Sequence, residues 1–266
     1  MASITFLITG LTLLLNLPSQ SPAETVRWGQ IGHYVTGKIA EQYITDKAEK
    51  ELKRVLGQKS LAAAAAWMDD IRSDPDYDYV SEWHWVTIPP GMTYEDAEKN
   101  PEGDIIEALE RKISELAEGV LSRTEEQEKL MMVIHMVGDI HQPLHVGTGE
   151  DRGGNDVDVQ WIGESSNLHS VWDSRMIDSY QLSFTELAAA LEQPSEKDIR
   201  DWQQSTVRDW AAESVGYRDD VYDLPDNGQI GYVYRYANFE LVERRLLQAG
   251  IRLAGVINGI YDQADN

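Results

Sequence analysis

The sequence predicts a mainly helical protein with a single domain and only a small amount of extended structure. Hydrophobic residues make up 42% of the 266 residues, which is enough for one substantial core. Apolar residues recur at helical spacing along most of the chain, for example over 103–121. The 9 Pro and 20 Gly are scattered, so no linker divides the chain.

Helical patterns account for most of the chain beyond residue 44. The pattern over 125–141 opens on a capping-box sequence formed by Thr124 and Gln127. Asp74-Pro75 ends the pattern that Ser60 opens, because proline cannot continue a helix. The predicted helices are 45–56, 60–73, 103–121, 125–141, 168–180, 183–191, 196–217 and 233–261.

Two stretches predict extended structure, 79–88 and 156–162. The second alternates apolar and polar residues, with Val157, Val159 and Trp161 on one face. Little of the chain is left for a sheet, so the expected fold class is all-α or nearly so.

The N-terminal segment differs from the rest of the chain. Residues 4–17 are mostly apolar and uncharged, but they are fewer than the roughly 20 that a membrane span takes. Ser21-Pro22-Ala23 offers the small residues that signal peptidase prefers. We therefore expect a signal peptide over 1–23, a second trim that extends the removal to 27, and a secreted or periplasmic domain over 28–266. This domain is expected to be a monomer without a membrane span; the alternative for 4–17 is a buried helix.

Charge and cysteine content limit the possible functions. The chain has 46 acidic and 23 basic residues, a net charge of −23. This disfavours a nucleic-acid binder that uses a basic face, because phosphate contacts usually come from Lys and Arg. Bound cations would change that expectation locally. Since the chain has 0 Cys, any metal must be held by His, carboxylates, backbone or water.

Four of the 6 His lie close to Asp residues or to one another in sequence. His135 and Asp139 are one helical turn apart and face the same way, and His169 and Asp173 repeat this spacing. His145 follows a proline that lets it approach from another direction. Nitrogen and oxygen ligands of this kind suit Zn²⁺. Ordinary surface pairs remain the alternative at this point.

Two further candidates lie on the N-terminal side. Asp69 belongs to the Ala-rich helical pattern, with Arg72 about one turn further on. Alone, Asp69 would be an ordinary solvated carboxylate. His84 lies between Trp83 and Trp85, where a buried structural histidine is the alternative to a metal ligand.

Together these segments resemble the zinc-dependent single-strand-specific nucleases of moulds, plants and bacteria. That family includes bifunctional nuclease/3′-nucleotidases and is distantly similar to zinc-dependent phospholipase C. The resemblance runs from residue 28 to about residue 173. The matching segments are Trp28-Gly29-Gln30-Ile31-Gly32-His33, Trp67-Met68-Asp69, His84, His135-x₃-Asp139-x₅-His145 and Asn167-Leu168-His169-Ser170-Val171-Trp172-Asp173.

The resemblance implies three zinc ions per chain, held by nine residues. The first set is Asp69, His84, His135 and Asp139; the second is His145, His169 and Asp173; the third is Trp28, as the first residue of the mature chain, with His33 and Asp139. Asp139 would thus bridge two ions, since a carboxylate has two oxygens.

The resemblance also implies roles in catalysis and substrate binding. Asp69 would orient the attacking water and Arg72 would stabilise the phosphate oxygens in the transition state. Single-stranded DNA and RNA would be cut endonucleolytically to 5′-phosphate products, and 3′-nucleotides would lose their phosphate.

For the base, the resemblance implies stacking on Trp85 and hydrogen bonds from Gly153 and Asn155 of a Gly-Gly-Asn turn. Thr87 stands where the family often has Asp, which leaves the base preference open. The alternative for Trp85 is core packing. For the whole chain, the alternatives are a zinc-dependent phospholipase C and a secreted zinc-binding protein without catalysis.

Overall fold

The computed structural model describes residues 29–262, so the expected signal peptide, its cleavage site and Trp28 lie outside the described residues. The mainly helical class is confirmed, because helices dominate and every strand is short. The α-helices are α1 Gln30–Ala40, α2 Asp46–Leu56, α3 Leu61–Ala65, α4 Trp67–Asp70, α5 Ile105–Glu118, α6 Arg123–Asp139, α7 Leu168–Ser170, α8 Met176–Asp178, α9 Phe184–Ala190, α10 Glu196–Gln204, α11 Val207–Gly216, α12 Arg218–Val221 and α13 Tyr232–Asp262.

Two small sheets accompany the helices. The strands are β1 Val86–Thr87, β2 Val146–Gly147, β3 Asp158–Trp161, β4 Glu164–Asn167 and β5 Gln229–Ile230. β1 pairs in parallel with β2, with Thr87 opposite Gly147. β3 lies between β4, to which it is antiparallel, and β5, to which it is parallel. The extended structure predicted over 156–162 is therefore present as β3.

The extended structure predicted over 79–88 is mostly wrong. Pro75–His84 forms a 3₁₀ helix instead, and only β1 remains as strand. Asp74 caps this helix by accepting a hydrogen bond from Asp76 N, and Pro75 occupies its first turn, where a missing N–H costs nothing. The same residues that ended one predicted helix therefore begin another.

Helix caps also explain smaller differences from the prediction. α6 begins at Arg123, because Ser122 and Glu125 form the capping box that was assigned to Thr124 and Gln127. The helix predicted over 196–217 divides into α10 and α11 at Ser205, and each half has its own capping box.

Helix α1 was not predicted from the sequence. It has no side-chain N-cap, and most of its surface is buried, so it shows little amphipathic pattern. Two close helix crossings hold it in place. A Cβ on Gly37 would lie 2.6 Å from Leu61 and Ala62 backbone atoms of α3, and one on Gly250 of α13 would lie 2.5 Å from Ile39. Glycine is needed at both crossings, which place α1 beside α6.

The core consists of two hydrophobic clusters. One is formed mainly by α2, α3, α5, α6 and the C-terminal half of α13; the other by α1, β3, α7 to α9 and the N-terminal half of α13. Ile140, just after α6, belongs to the first cluster, and Leu144 belongs to the second. The candidate site lies at this transition. Among residues 29–262, no helix combines the length and apolar character needed to cross a bilayer.

Candidate metal centre

Eight of the nine predicted ligands fall within the described residues, and the structure brings all eight together. They form three groups in which the possible ligand atoms lie within 4.8 Å of one another. The groups are His33, His135 and Asp139; Asp69, His84 and His135; and His145, His169 and Asp173. The ninth ligand, Trp28, lies outside the described residues.

Helix α6 supplies the centre of the cluster. His135 Nε2 lies 3.0 Å from Asp139 Oδ2, as their spacing of one turn predicts. Three more imidazoles surround the same carboxylate: His84 Nδ1 at 2.8 Å, His33 Nε2 at 3.4 Å and His145 Nδ1 at 3.2 Å. Asp139 is fully buried, so this one carboxylate joins the three groups away from bulk solvent.

His33 reaches the cluster from α1 across a glycine of α6. Its ring stacks on that of His135 with centroids 3.9 Å apart and an interplanar angle of 14°. A Cβ on Gly138 would lie only 2.8 Å from His33 Nδ1. Gly138 therefore leaves the space that His33 occupies. Sequence reasoning missed this role, although the glycine stands between two predicted ligands.

Backbone carbonyls fix the orientation of two imidazoles. His135 Nδ1 donates to the Ala65 carbonyl at 2.6 Å, and His169 Nδ1 donates to the Gly153 carbonyl at 2.7 Å. Each ring is then protonated on Nδ1, and Nε2 keeps its lone pair directed at the carboxylates. A metal ligand requires this tautomer.

Gly153 has a left-handed backbone with φ of 63°, and a Cβ there would lie 2.4 Å from the Leu144 carbonyl oxygen. A glycine is therefore required at this position. Its carbonyl orients His169, so Gly153 supports the metal centre as well as the cavity beside it.

The second part of the cluster surrounds Asp173. His145 Nε2 lies 3.3 Å from Asp173 Oδ1, and His169 Nε2 lies 3.0 Å from Asp173 Oδ2. Asp173 lies in a π-helical turn, Val171–Arg175, rather than in the regular helix predicted there. The buried Gln142 donates from Nε2 to Asp173 Oδ1 at 2.5 Å and holds the carboxylate in place. No pattern in the sequence indicated this supporting role.

The cluster requires positive charge. Burial alone would raise the pKa of Asp139, but His135 and His145 bring it well below its usual value. Burial also opposes ionisation of Asp173, yet His169 and His145 lower its pKa to about 2. For His145, burial acts to lower the pKa, while Asp139 and Asp173 raise it to about 10. Both carboxylates are therefore charged, and His145 holds a proton unless a cation replaces it.

The hydrogen bonding of the cluster fits metal ions. Within residues 29–262, Asp139 Oδ1, Asp173 Oδ2 and both ring nitrogens of His145 are buried without a hydrogen bond. Buried polar atoms in folded proteins nearly always have a partner, so these atoms need an explanation. A set of imidazole nitrogens and carboxylate oxygens without sulfur suits Zn²⁺, which these residues could bind.

A cavity of about 410 Å³ opens beside the cluster. At one end it is lined by the candidate ligands His84, His145 and His169. Its remaining walls are formed by Trp85, Thr87, Leu144, Gly147, Gly149, Arg152, Gly153 and Asn155. The Trp85 side chain is partly exposed, at 37%, and contributes to the cavity wall. The three residues predicted to bind a base thus share one cavity with three of the candidate ligands.

Helix α12 holds two walls of this cavity together. The buried Arg218 guanidinium donates to three backbone carbonyls beside β1 and β2: Ile88 at 2.8 Å, Val146 at 3.1 Å and Gly147 at 2.9 Å. One turn further on, Tyr222 donates to Asp151 Oδ2 at 2.8 Å, and Asp151 Oδ1 accepts from Gly154 N at 3.0 Å. The α12 side chains therefore connect the β1–β2 wall to the Gly-Gly-Asn turn.

The two predicted catalytic residues lie close together in the chain, in α4 and in the turn that follows it. Asp69 is in α4, and its Oδ1 lies 4.0 Å from His135 Nε2, with the side chain 30% exposed. Arg72 is an exposed residue in the 3₁₀ turn Ile71–Ser73, which follows α4 directly. Asp69 can therefore reach both the candidate metal ligands and solvent.

Comparison with known proteins identifies the family. The model of the S1/P1 nuclease family matches residues 28–262. The chain belongs to the S1/P1 nuclease family. It is 31% identical to Endonuclease 3 of Arabidopsis thaliana over 88% of this chain and 89% of that protein. Nuclease S1 of Aspergillus oryzae is 29% identical over 90% of this chain and 93% of its own length, and Nuclease P1 of Penicillium citrinum is 30% identical over 56% and 58%.

Proposed function

We propose that this protein is a three-zinc phosphodiesterase that cuts single-stranded DNA and RNA endonucleolytically and removes phosphate from 3′-nucleotides. One observation carries the proposal. In a chain of the S1/P1 nuclease family, three groups of His and Asp lie close together, and His84, His145 and His169 from two of these groups line a cavity whose wall includes a partly exposed Trp85. The metal ligands would act on the phosphate, and the cavity would bind the attached base.

The residues divide among three ions as follows. Asp69, His84, His135 and Asp139 would hold one zinc ion; His145, His169 and Asp173 would hold a second; and His33, Asp139 and Trp28 would hold a third. Zinc ions in these places would polarise the phosphate ester as Lewis acids and lower the pKa of an attacking water to about 7.

The protein's own side chains complete the chemistry. The Asp69 carboxylate is close enough to the cluster to accept a hydrogen bond from the attacking water and direct it at phosphorus. Arg72 donates to the non-bridging phosphate oxygens as negative charge develops in the transition state. The products carry a 5′-phosphate and a free 3′-hydroxyl.

The cavity accounts for the single-strand preference. Trp85 offers a ring face for stacking, which contributes about 1–3 kcal/mol and tolerates different bases. Gly153 and Asn155, in the same cavity wall, would present amide groups to the base. A paired base would have to leave its stack to enter the cavity, and that unstacking costs a few kcal/mol. A single strand avoids this cost.

The third ion depends on the N-terminus of the mature chain. An amide nitrogen is a poor ligand, so Trp28 contributes its nitrogen only if cleavage after Arg27 makes it the first residue. The neighbouring Gly29 N–H donates to the Asp173 carbonyl at 2.6 Å, which places the start of the described chain beside the cluster. The proposal therefore includes export and removal of residues 1–27. Mass spectrometry of the exported protein tests it, and an active enzyme that begins at Glu24 would contradict this ligand assignment.

Elemental analysis combined with activity assays tests the function. We expect three zinc ions per mature chain, cleavage of single-stranded DNA well above that of duplex DNA, and loss of both zinc and activity after chelation. Hydrolysis of phosphatidylcholine instead would favour the phospholipase C alternative. Zinc without hydrolysis of any phosphate ester would favour a zinc-binding protein, and fewer than two zinc ions per chain would contradict the three-ion site.

The role of Arg72 has its own test. Arg72→Ala should lower turnover on single-stranded DNA by about 10²–10³-fold while the zinc content stays the same. Arg200→Ala removes an exposed arginine that pairs with Glu196 in α10, and it serves as the control. Equal turnover in the two variants would show that Arg72 has no part in catalysis.

A further inference from the structure

Arg152 is an unusual member of the cavity wall. Among the described residues that line the cavity, it is the one Lys or Arg. Three candidate metal ligands line the same cavity, so one space is lined by both candidate zinc ligands and a guanidinium. In a chain with a net charge of −23, a basic group at a binding cavity calls for a specific explanation.

The backbone of Arg152 is held in a conformation that arginine rarely adopts. Its φ is 53°, in the left-handed region. Neighbouring hydrogen bonds maintain it: the Arg152 carbonyl accepts from Asn155 Nδ2 at 2.9 Å, and Asp156 N donates to the Asp151 carbonyl at 3.1 Å. Such strain persists only where surrounding contacts fix it. The turn thus fixes the position of the Arg152 Cβ, from which the side chain extends.

The current partner of Arg152 resembles a phosphate in geometry. Arg152 Nε lies 3.0 Å from both carboxylate oxygens of Asp156, and Nη2 lies 2.7 Å from Oδ1. A phosphate offers the same pair of oxygens to a guanidinium. The two side chains are 76% and 50% exposed, and ion pairs of this kind contribute little to stability. If Arg152 left Asp156 and paired with a substrate phosphate instead, the protein would therefore lose little stability.

We infer that Arg152 binds the 5′-phosphate of the nucleotide whose base lies in the cavity. This inference rests on the proposed function, which places the 3′-phosphate of that nucleotide at the metal ligands. The 5′-phosphate of the same nucleotide is then the group available to Arg152. Every internal nucleotide of a strand has this second phosphate, whereas a 3′-mononucleotide does not. Arg152 thus favours strands over 3′-mononucleotides.

Two small substrates isolate this contact. Adenosine 3′-phosphate and adenosine 3′,5′-bisphosphate share base, sugar and scissile phosphate and differ only in the 5′-phosphate. In the zinc-loaded enzyme, Arg152→Gln should lower the ratio of kcat/KM for the bisphosphate to that for the monophosphate by about tenfold. Gln keeps the Cβ and therefore the same backbone requirement. On single-stranded DNA, the slope of log kcat/KM against log salt should become shallower by about 0.7.

A second variant predicts the opposite direction. Asp156→Asn removes the carboxylate that competes for Arg152, so the same ratio should rise several-fold. Arg244→Gln and Glu240→Gln make the same charge changes in a surface pair on α13, outside the cavity, and should leave the ratio at its wild-type value. If the ion pair mattered only for the shape of the turn, Arg152→Gln and Asp156→Asn would change the ratio in the same direction.

The outcomes are distinguishable. An unchanged ratio in Arg152→Gln, or a fall in both cavity variants, would overturn the inference while the proposed function stands. A zinc-loaded wild-type enzyme that hydrolyses neither nucleotide nor single-stranded DNA would overturn the proposed function and this inference with it.

Discussion

Two polar clusters each include a histidine or aspartate at or just after the end of α6, and they differ in how their charges are compensated. The first is the candidate metal centre around Asp139. The second, here called the arginine cluster, consists of His141, Glu213, Arg245 and Arg252. Glu213 accepts from Arg245 at 2.5 Å and from Arg252 at 2.6 Å. Both arginine side chains are 1% exposed, as deeply buried as much of the metal centre, whereas the Glu213 side chain is 32% exposed.

The arginine cluster is complete without any added ion. His141 Nδ1 donates to the Val137 carbonyl at 2.7 Å, and its Nε2 accepts from Arg252 at 2.9 Å. Burial and the two arginines keep the pKa of His141 well below its usual value, so the ring is neutral. In the metal centre, by contrast, the ring nitrogens of His145 and an oxygen of Asp139 are buried without a hydrogen bond. Burial alone therefore does not mark a functional histidine; buried ring nitrogens that face carboxylates without forming a hydrogen bond do.

The largest effect is expected from Asp139→Asn, which removes the charge that joins the three groups of the metal centre. We expect the variant to bind fewer zinc ions and to lose at least about 10³-fold of its turnover on single-stranded DNA. Elemental analysis and initial rates measure both, with chelated wild-type enzyme as the reference. A variant that keeps its full zinc content and rate would show that Asp139 does not bridge metal ions.

The arginine cluster should respond in stability rather than in metal content. Glu213→Gln leaves two buried guanidinium groups without a carboxylate, and we expect a loss of about 3 kcal/mol in the free energy of unfolding. This corresponds to a fall of about 6–12 °C in Tm. Glu110→Gln breaks a comparable but exposed pair with Arg208 and should cost less than about 1 kcal/mol. Equal losses in the two variants, or loss of zinc from folded Glu213→Gln, would remove the distinction between the clusters.

Much of the metal centre could be predicted from the sequence, because its main signals are local. His135 with Asp139 and His169 with Asp173 are each one helical turn apart. The resemblance to a known family then supplied the distant partner His33. His141 lies between predicted ligands in sequence, yet its partner Arg252 is 111 residues away. Nothing local indicates that partner, so only the structure assigns His141 to the arginine cluster.

The missed features depend on contacts between distant segments. Helix α1 gives a weak periodic signal because it is buried on most sides. Gln142 and Arg218 each donate hydrogen bonds to groups that are distant in sequence, the Asp173 carboxylate and the Ile88 carbonyl. The 3₁₀ helix Pro75–His84 was missed for a different reason, since Asp74-Pro75 can end one helix and begin another. Local patterns thus predicted the fold class, whereas long-range packing decided these details.

A smaller effect is expected at the glycine that separates His33 from α6. In Gly138→Ala the new Cβ would lie 2.8 Å from His33 Nδ1, so the imidazole must shift. We expect a loss of about 1–3 kcal/mol in stability, as for other overpacked sites, together with loss of one zinc ion of three. Gly216→Ala is the matched control, because a Cβ there meets nothing within 4 Å. Full zinc content in Gly138→Ala would show that the third ion does not depend on His33.

The smallest expected effect is the pH dependence of the arginine cluster. Burial alone would raise the pKa of Glu213, but Arg252 and Arg245 more than offset this and lower it below 4.5, its ordinary value. The charged Glu213 therefore contributes stability above about pH 4.5, and this contribution is lost as the pH falls through the lowered pKa of the folded state. Glu213→Gln has no such group.

The stability difference between wild type and Glu213→Gln should therefore be constant from about pH 6 to 8 and should shrink below about pH 4.5. Urea unfolding of both proteins after chelation measures this difference without the separate contribution of zinc release. A difference that stays constant down to about pH 3 would mean that Glu213 has the same pKa in the folded and unfolded states. The arginine cluster would then owe its stability to packing rather than to its charges, and the contrast with the metal centre would have to rest on hydrogen bonding alone.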